Sequence, residues 1–344
     1  MDTDRAAPVR GWRPALAATL PPVLVAALAL AACAPDHAAA PTPATRPSAV
    51  PAPEPRPDDL TRMRRERAQA ARDAAAGRAP GPASVTMAQY MNNIQDTLLA
   101  RGLLRPSADG IAPAPAERLA EDFIRIALYD EYVSRNGRLV PETRPAPLRR
   151  WERPVRVMVE FGASVPPATR IRDRNDIADY VQRLSRISGH PIAMTAESGN
   201  FVVLLLAEDE RRTIGPRLAQ LIPGIPASDI RAIQGLAPQN YCTVFAYSPG
   251  PGQPYSNAVA VIRAELPDRL RLSCIHEELA QGLGLANDSP EVRPSIFNDD
   301  EEFAFLTPHD ELLLKILYDK RLRPGMTEAE ARPIVARIAA ELAP

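Results

Sequence analysis

The sequence predicts an α+β domain built on a mixed sheet, with helical segments in front of it and an extended tether at the N-terminus. Three observations lead there. From Trp151 onward, strand-like and helix-like stretches follow one another in the order β-α-β-β-α-β-β-α, a pattern of the α+β class. Residues 34–57 hold eight prolines among Ala, Thr and Ser, a composition that cannot bury a core and stays extended and solvated. Between the two lie stretches with apolar residues at helical spacing. No fixed-period repeat is visible.

The 344 residues allow one large domain or two modest ones. Apolar residues make up 45% of the chain, enough for a core, while aromatics are sparse at 5%. A net charge of -1 gives no electrostatic footprint for nucleic acid, and no such partner is expected.

The first 32 residues read as a signal peptide of the lipoprotein type. Arg5, Arg10 and Arg13 form a basic start, diluted by Asp2 and Asp4, and an apolar stretch from Ala15 to Ala32 follows. It ends in Leu30-Ala31-Ala32-Cys33, which resembles the lipobox of bacterial lipoproteins, where the Cys is diacylated and becomes the new N-terminus. The alternatives are an ordinary secretory signal or a membrane anchor. Pro21 and Pro22 interrupt the roughly 20 apolar residues a spanning helix needs. Lipidation at Cys33 therefore places the protein in the periplasm, anchored to a membrane. Ala34 after the Cys, by resemblance to the sorting pattern, favours the outer membrane over the inner one. Residues 33–57 are then the tether, which reaches ~70 Å if fully polyproline II.

Residues 58–150 read as a helical segment. Asp58 or Asp59 can cap a helix running to about Ala76, stopped by Gly77 and Pro80. Arg62, Arg64, Arg65, Arg67 and Arg72 make it basic: a solvated helix, or one that touches anionic lipid or cell-wall polymer. Helices are expected at Met87–Arg101 and Pro115–Tyr132, the second with Leu119, Phe123, Ile126 and Ala127 on its core face.

Residues 151–344 read as the main domain. Val155–Phe161 alternates as a strand, Asp173–Ser188 is an amphipathic helix, and Phe201–Ala207 is a strand buried on both faces. A helix over Glu208–Ile222 and the strands "CTVFAYS" and "AVAVIRAEL" follow. Cys242 and Cys274, left over once Cys33 carries lipid, can pair in an oxidising compartment or remain two buried thiols. A disulfide would close a loop worth about 3 kcal/mol in the chain-entropy model.

The stretch with chemical content is "SCIHEELAQGLGLAND", Ser273–Asp288. A zinc-peptidase helix carries H-E-x-x-H, with two imidazoles at i and i+4 on the metal and Glu polarising the bound water. One branch extends it with a turn Gly and a third ligand. In that frame Glu278 falls on the catalytic Glu and Gly284 on the turn Gly, but the ligand positions hold Glu277, Gln281 and Asn287. Glu277, Glu278 and Gln281 share one polar helix face, and Ile275, Leu279 and Leu283 form the core stripe. Starting the frame at His276 puts Ala280 at i+4, so His276 reads as a helix-start residue and not as a ligand. Downstream, Thr307 can cap a helix with Asp310 three residues later, and Leu312, Leu313, Ile316 and Leu317 form its core face. Thr327 starts the last helix, which Pro333 is placed to kink.

The motif, "SIFNDD" (Ser295–Asp300) and "LTPHDELLLKILYDKRLRPGM" (Leu306–Met326) together resemble an uncharacterised bacterial envelope family, domain of unknown function 2927, with a zincin-like relationship. The resemblance covers roughly Arg153 to Glu330. It implies a zincin-like fold with Glu-Glu and Gln at these positions as the family's own pattern, and it implies no reaction.

Two functional readings follow. In one, the protein is a hydrolase. Glu278 is the general base, Glu277 and Gln281 hold a metal or orient water, and Asn287, Asp288, Asn298 and Asp299 add oxygen ligands that suit Mg²⁺ or Ca²⁺ better than Zn²⁺; the paired carboxylates can also work without metal. In the other, a tethered envelope protein binds a protein or peptidoglycan partner without peptidase chemistry. Neutral Gln is a poor zinc ligand and nothing nearby replaces two imidazoles, which favours the second. The acidic run Asn298–Glu302 reads as a cation site or a solvated loop, with the loop favoured.

Overall fold

The structure is a computed structural model that describes residues 62–65, 79–135, 138–298 and 300–343, with the side chains of 131–143 excepted. The signal segment, Cys33, the tether, most of the basic stretch 58–76 and Asp299 lie outside the described residues. Residues 62–65 are helical. Among the described residues no helix is long and apolar enough to cross a membrane.

Two helices come first, α1 (Pro82–Ala100) and α2 (Ala116–Ala127). The second stops five residues short of the expected Tyr132. A hairpin, β1 (Tyr129–Arg135) and β2 (Arg138–Pro145), takes over. Asn136-Gly137 between the strands is the sequence signal for it, since both residues tolerate the positive φ that a tight hairpin turn requires. Leu119, Phe123, Ile126 and Ala127 are buried, as their spacing implies.

The main sheet has five strands: β3 (Val155–Phe161), β4 (Ile192–Met194), β5 (Phe201–Leu206), β6 (Cys242–Tyr247) and β7 (Asn257–Arg263). Their spatial order is β4-β3-β5-β7-β6. All neighbours are parallel except β6, which runs antiparallel to β7 at the sheet's edge. The sheet is mixed, as expected. Every residue of β5 is buried, because this central parallel strand is covered on both faces.

One face carries α3 (Pro167–Ser188) and α7 (Asp268–Gln281), whose apolar residues join a core that runs from Met87 to Ala339. The other face carries α5 (Gly215–Leu221) and α6 (Ala227–Gln234) over Val202, Leu204, Val259 and Val261. The single helix expected over Glu208–Ile222 is in fact a short α4 (Glu208–Arg211) followed by α5. Pro216 near the start of α5 has no amide to continue a helix from α4. Glu208 itself is buried with Arg211 and Arg263 at the end of the sheet.

Two further helices complete the domain, α8 (Pro308–Leu317) and α9 (Glu328–Leu342). Thr307 caps α8 as expected: its amide donates to Asp310 Oδ2 at 2.9 Å, and the Asp310 amide donates back to Thr307 Oγ1 at 3.2 Å. The buried face of α8 uses Leu314 where the sequence pattern suggested Leu312, alongside Leu313, Ile316 and Leu317.

Past α7 the chain turns at Gly284, whose φ of +128° suits glycine alone. A Cβ there would sit 2.2 Å from the Arg149 carbonyl oxygen. Trp151, stacked on Phe201, donates from Nε1 to the Gly282 carbonyl at 2.8 Å and holds the same turn. Gly284→Ala should therefore lower unfolding stability by more than about 2 kcal/mol, read from denaturant melts.

Candidate functional site

The motif helix α7 begins at Asp268, so His276 lies in its interior and not at its start. The ring of His276 is stacked on Tyr180 at 3.8 Å between centroids and faces Phe305 at 5.1 Å. Its Nδ1 accepts from the Leu306 amide at 3.1 Å, and the Tyr180 hydroxyl donates to the His276 carbonyl at 2.8 Å. Burial, with the nearby Arg183 charge adding to it, pushes the imidazole pKa down to about 3. His276 is a neutral packing residue. Together with Ile275, Leu279 and Leu283, all buried, it turns one face of α7 to the interior.

The opposite face meets β6. Cys242 on the edge strand and Cys274 on α7 form a disulfide, with 5.9 Å between their Cα atoms. The pairing expected from the compartment is thus present, and it bolts the edge strand to the helix one turn before Glu277 and Glu278. The Cys242 Sγ and one carboxylate oxygen from each glutamate all lie within 4.8 Å of one another.

Between β6 and α7 runs an open groove of about 840 Å³. The consecutive residues 239–246 form one wall, and Ser273, Glu277, Glu278 and Gln281 form the other. Gln281 donates from Nε2 to Asp288 Oδ1 at 3.1 Å, so the loop after α7 closes the groove's floor. The burial of the two glutamates differs: Glu278 is 3% exposed and Glu277 half-buried.

The backbone of β6 is the groove's other chemical feature. In an antiparallel ladder, alternate residues turn both N–H and C=O to the same neighbour. The Arg263 amide donates to the Tyr241 carbonyl, and the Ser256 amide to the Tyr247 carbonyl, so the odd-numbered residues face β7. Cys242, Val244 and Ala246 therefore turn their N–H and C=O outward, along an edge that no described strand pairs.

The remaining expected ligands are dispersed. Asn287 is buried, its amide and its Nδ2 tied to the carbonyls of Ile126 and Arg125 on α2, and it is not among the residues lining the groove. Asn298 lines the groove, but its Oδ1 accepts the Asp300 amide at 3.2 Å. Asp300 pairs with Arg293, which also reaches Glu302, so the acidic run is a loop closed on its own cation. The other histidines in the described chain point elsewhere: His190 Nε2 is 2.9 Å from the Arg153 carbonyl, and His309 Nε2 is 3.1 Å from Asp122 Oδ2. No described histidine lines the groove.

A family model described as "Protein of unknown function (DUF2927)" matches residues 116–337. The chain belongs to this family. A comparison with curated proteins found no match. The family match starts at α2, so in this DUF2927 member it includes the helix that holds Asn287 and the hairpin whose residues Asp130 and Arg144 line the groove.

As a metal centre, the DUF2927 site offers two carboxylates and a sulfur already engaged in a disulfide. A disulfide sulfur is not the thiolate that binds Zn²⁺. Among the described residues this is the one cluster of three such donors. Sequence reasoning missed the edge strand as a wall of the site. The signal was available in the disulfide: pairing Cys242 with Cys274 puts the start of β6 beside the residues one helical turn further on, Glu277 and Glu278.

The depressed pKa of His276 has a pH signature. Its unfolded value is near 6.5 and its folded value about 3, so the stability from burying neutral imidazole is complete above about pH 6.5 and is lost as pH falls toward 3. The slope from this one proton reaches up to about 1.4 kcal/mol per pH unit. His276→Phe should be less stable than wild type at pH 7, where the Leu306 amide loses its acceptor. The gap should close as pH is lowered from 6.5 to 4 in denaturant melts.

Proposed function

We propose that this protein is a lipid-anchored periplasmic envelope protein, held through Cys33 at the outer membrane. Its zincin-like domain binds an extended polypeptide segment in the groove between β6 and α7, without peptidase chemistry. The observation that carries the reading is the outward row of backbone groups on β6 beside a groove lined by the strand from Cys242 to Ala246. An exposed edge of this kind is completed by an added strand, whose main-chain hydrogen bonds supply affinity. The donor set supports a binding role: Glu277, Glu278 and Gln281 stand where a zinc peptidase needs imidazoles, and no described histidine reaches them.

A second reading is favoured by one observation. Glu277, Glu278 and Gln281 all line an open groove, and Glu278, though only 3% exposed at its wall, stands where a general base for hydrolysis would act. The two readings separate on product release. Wild-type protein incubated with denatured casein and with peptidoglycan should release no fragments under the binding reading. Release that disappears in Glu278→Gln would establish the hydrolase.

Strand addition has its own test. The Val244 amide points away from β7, so Val244→Pro removes a groove donor while leaving the sheet's ladder intact. Binding to an immobilised library of unstructured peptides should fall at least tenfold with the melting temperature little changed. Unchanged binding in a folded Val244→Pro protein would rule out an added strand at this edge.

A further inference from the structure

The groove is electrically uneven along its length. At the Cys242 end stand Glu277 and Glu278, with their carboxylates close to the disulfide sulfur. Glu301 lies at the same end: burial first, then its charge, push the Tyr241 hydroxyl up to about 12. Arg101 lines that end too, at the C-terminus of α1, but the carboxylates outnumber it.

The Ala246 end is different. The Tyr255 amide donates to the Arg150 carbonyl, and the next amide, Ser256, donates to the Tyr247 carbonyl, so the chain at Arg149–Arg150 sits beside the end of β6. Arg149 and Arg144 both line the groove and share the single carboxylate of Asp130. Asp229, also in the lining, is engaged by the Tyr247 hydroxyl at 3.1 Å. Arg144 is 58% exposed in its side chain, free to turn toward a ligand. From Cys242 to Ala246 the strand covers roughly 14 Å, at about 3.4 Å per residue.

We infer that the groove takes a short peptide of about five residues with both ends free, lying parallel to β6. Its α-ammonium sits against Glu277 and Glu278, and its α-carboxylate sits at Arg144 and Arg149. This rests on the strand-addition reading and adds a ligand class and a direction to it. The direction follows from charge. An antiparallel peptide would bring its carboxylate to Glu277, Glu278 and Glu301 and leave Arg144 and Arg149 with no ligand anion, and like charges brought together in a groove are what excludes a wrong partner. A five-residue extended chain carries its terminal charges about 14–17 Å apart, comparable to the length of β6 from Cys242 to Ala246. The amide edge of β6 reads no side chain, so selection falls on the termini.

The test uses full-length protein and four forms of one Val- and Thr-rich pentapeptide: free, N-acetylated, C-amidated and doubly blocked, measured by calorimetry. The free peptide should bind tightest. Acetylation should weaken it about tenfold or more, and amidation severalfold. The double variant Glu277→Gln/Glu278→Gln should bind free and acetylated forms alike, and Arg144→Gln/Arg149→Gln should bind free and amidated forms alike. A photoreactive group at the peptide's amino end should crosslink near Cys242 and not near Ala246. Equal binding of all four forms, or crosslinking at the Ala246 end, overturns the inference while leaving strand addition standing. Failure of every form to bind, together with failure of longer unstructured peptides, overturns both.

Discussion

The helix α7 has one rotational setting, and the site follows from it. Ile275, Leu279 and Leu283 must face the core, and His276 is trapped between Tyr180 and Phe305 with its Nδ1 spent on the Leu306 amide. With those positions committed inward, the disulfide from Cys274 can reach only the edge strand. Glu277, Glu278 and Gln281 are then delivered to the one side left, alongside β6. The disulfide's contribution is about 3 kcal/mol in the chain-entropy model; its positional effect is to fix the two walls of the groove against each other.

The same constraint explains why the histidines do not rescue a metal site. A zinc helix needs imidazoles on the groove face, and here the one histidine on α7 is on the core face, where burial keeps it neutral. His309 and His190 serve contacts within the body of the domain, with Asp122 and with the Arg153 carbonyl. What faces the groove is a pair of carboxylates, an amide and the edge of β6 that no described strand pairs. On the proposed reading such a surface takes an extended chain by its backbone and its terminal charges.

Much of the fold was legible in the chain. The all-apolar run of β5 and the 3.6-residue spacing in α2, α3 and α8 are strong local signals, and the strand order from Val155 to Arg263 follows them, whereas the helix α6 between β5 and β6 is not in the expected order. The misses have physical causes. The helical pattern of α2 runs on into β1 because Tyr129 and Tyr132 fit a helix face as well as a strand. The break between α4 and α5 rests on the missing amide of Pro216, against an otherwise helical composition. In the site, residues on α7 were readable because helical geometry is fixed by spacing alone. Asn287 was not, because the φ of Gly284 sends the chain toward α2, and only tertiary packing determines where its side chain goes. The role of β6 needed the sheet order, which puts this strand at an edge; no local pattern encodes that.

The central claim is that the outward edge of β6 is where a ligand chain pairs, and amide hydrogen exchange resolved by residue reads that edge directly. On saturation with a bound peptide, the amides of Cys242, Val244 and Ala246 should gain protection, while Thr243 and Phe245, already bonded to β7, should change little. Protection that appears on other elements, or a β6 pattern without this alternation, would contradict the account.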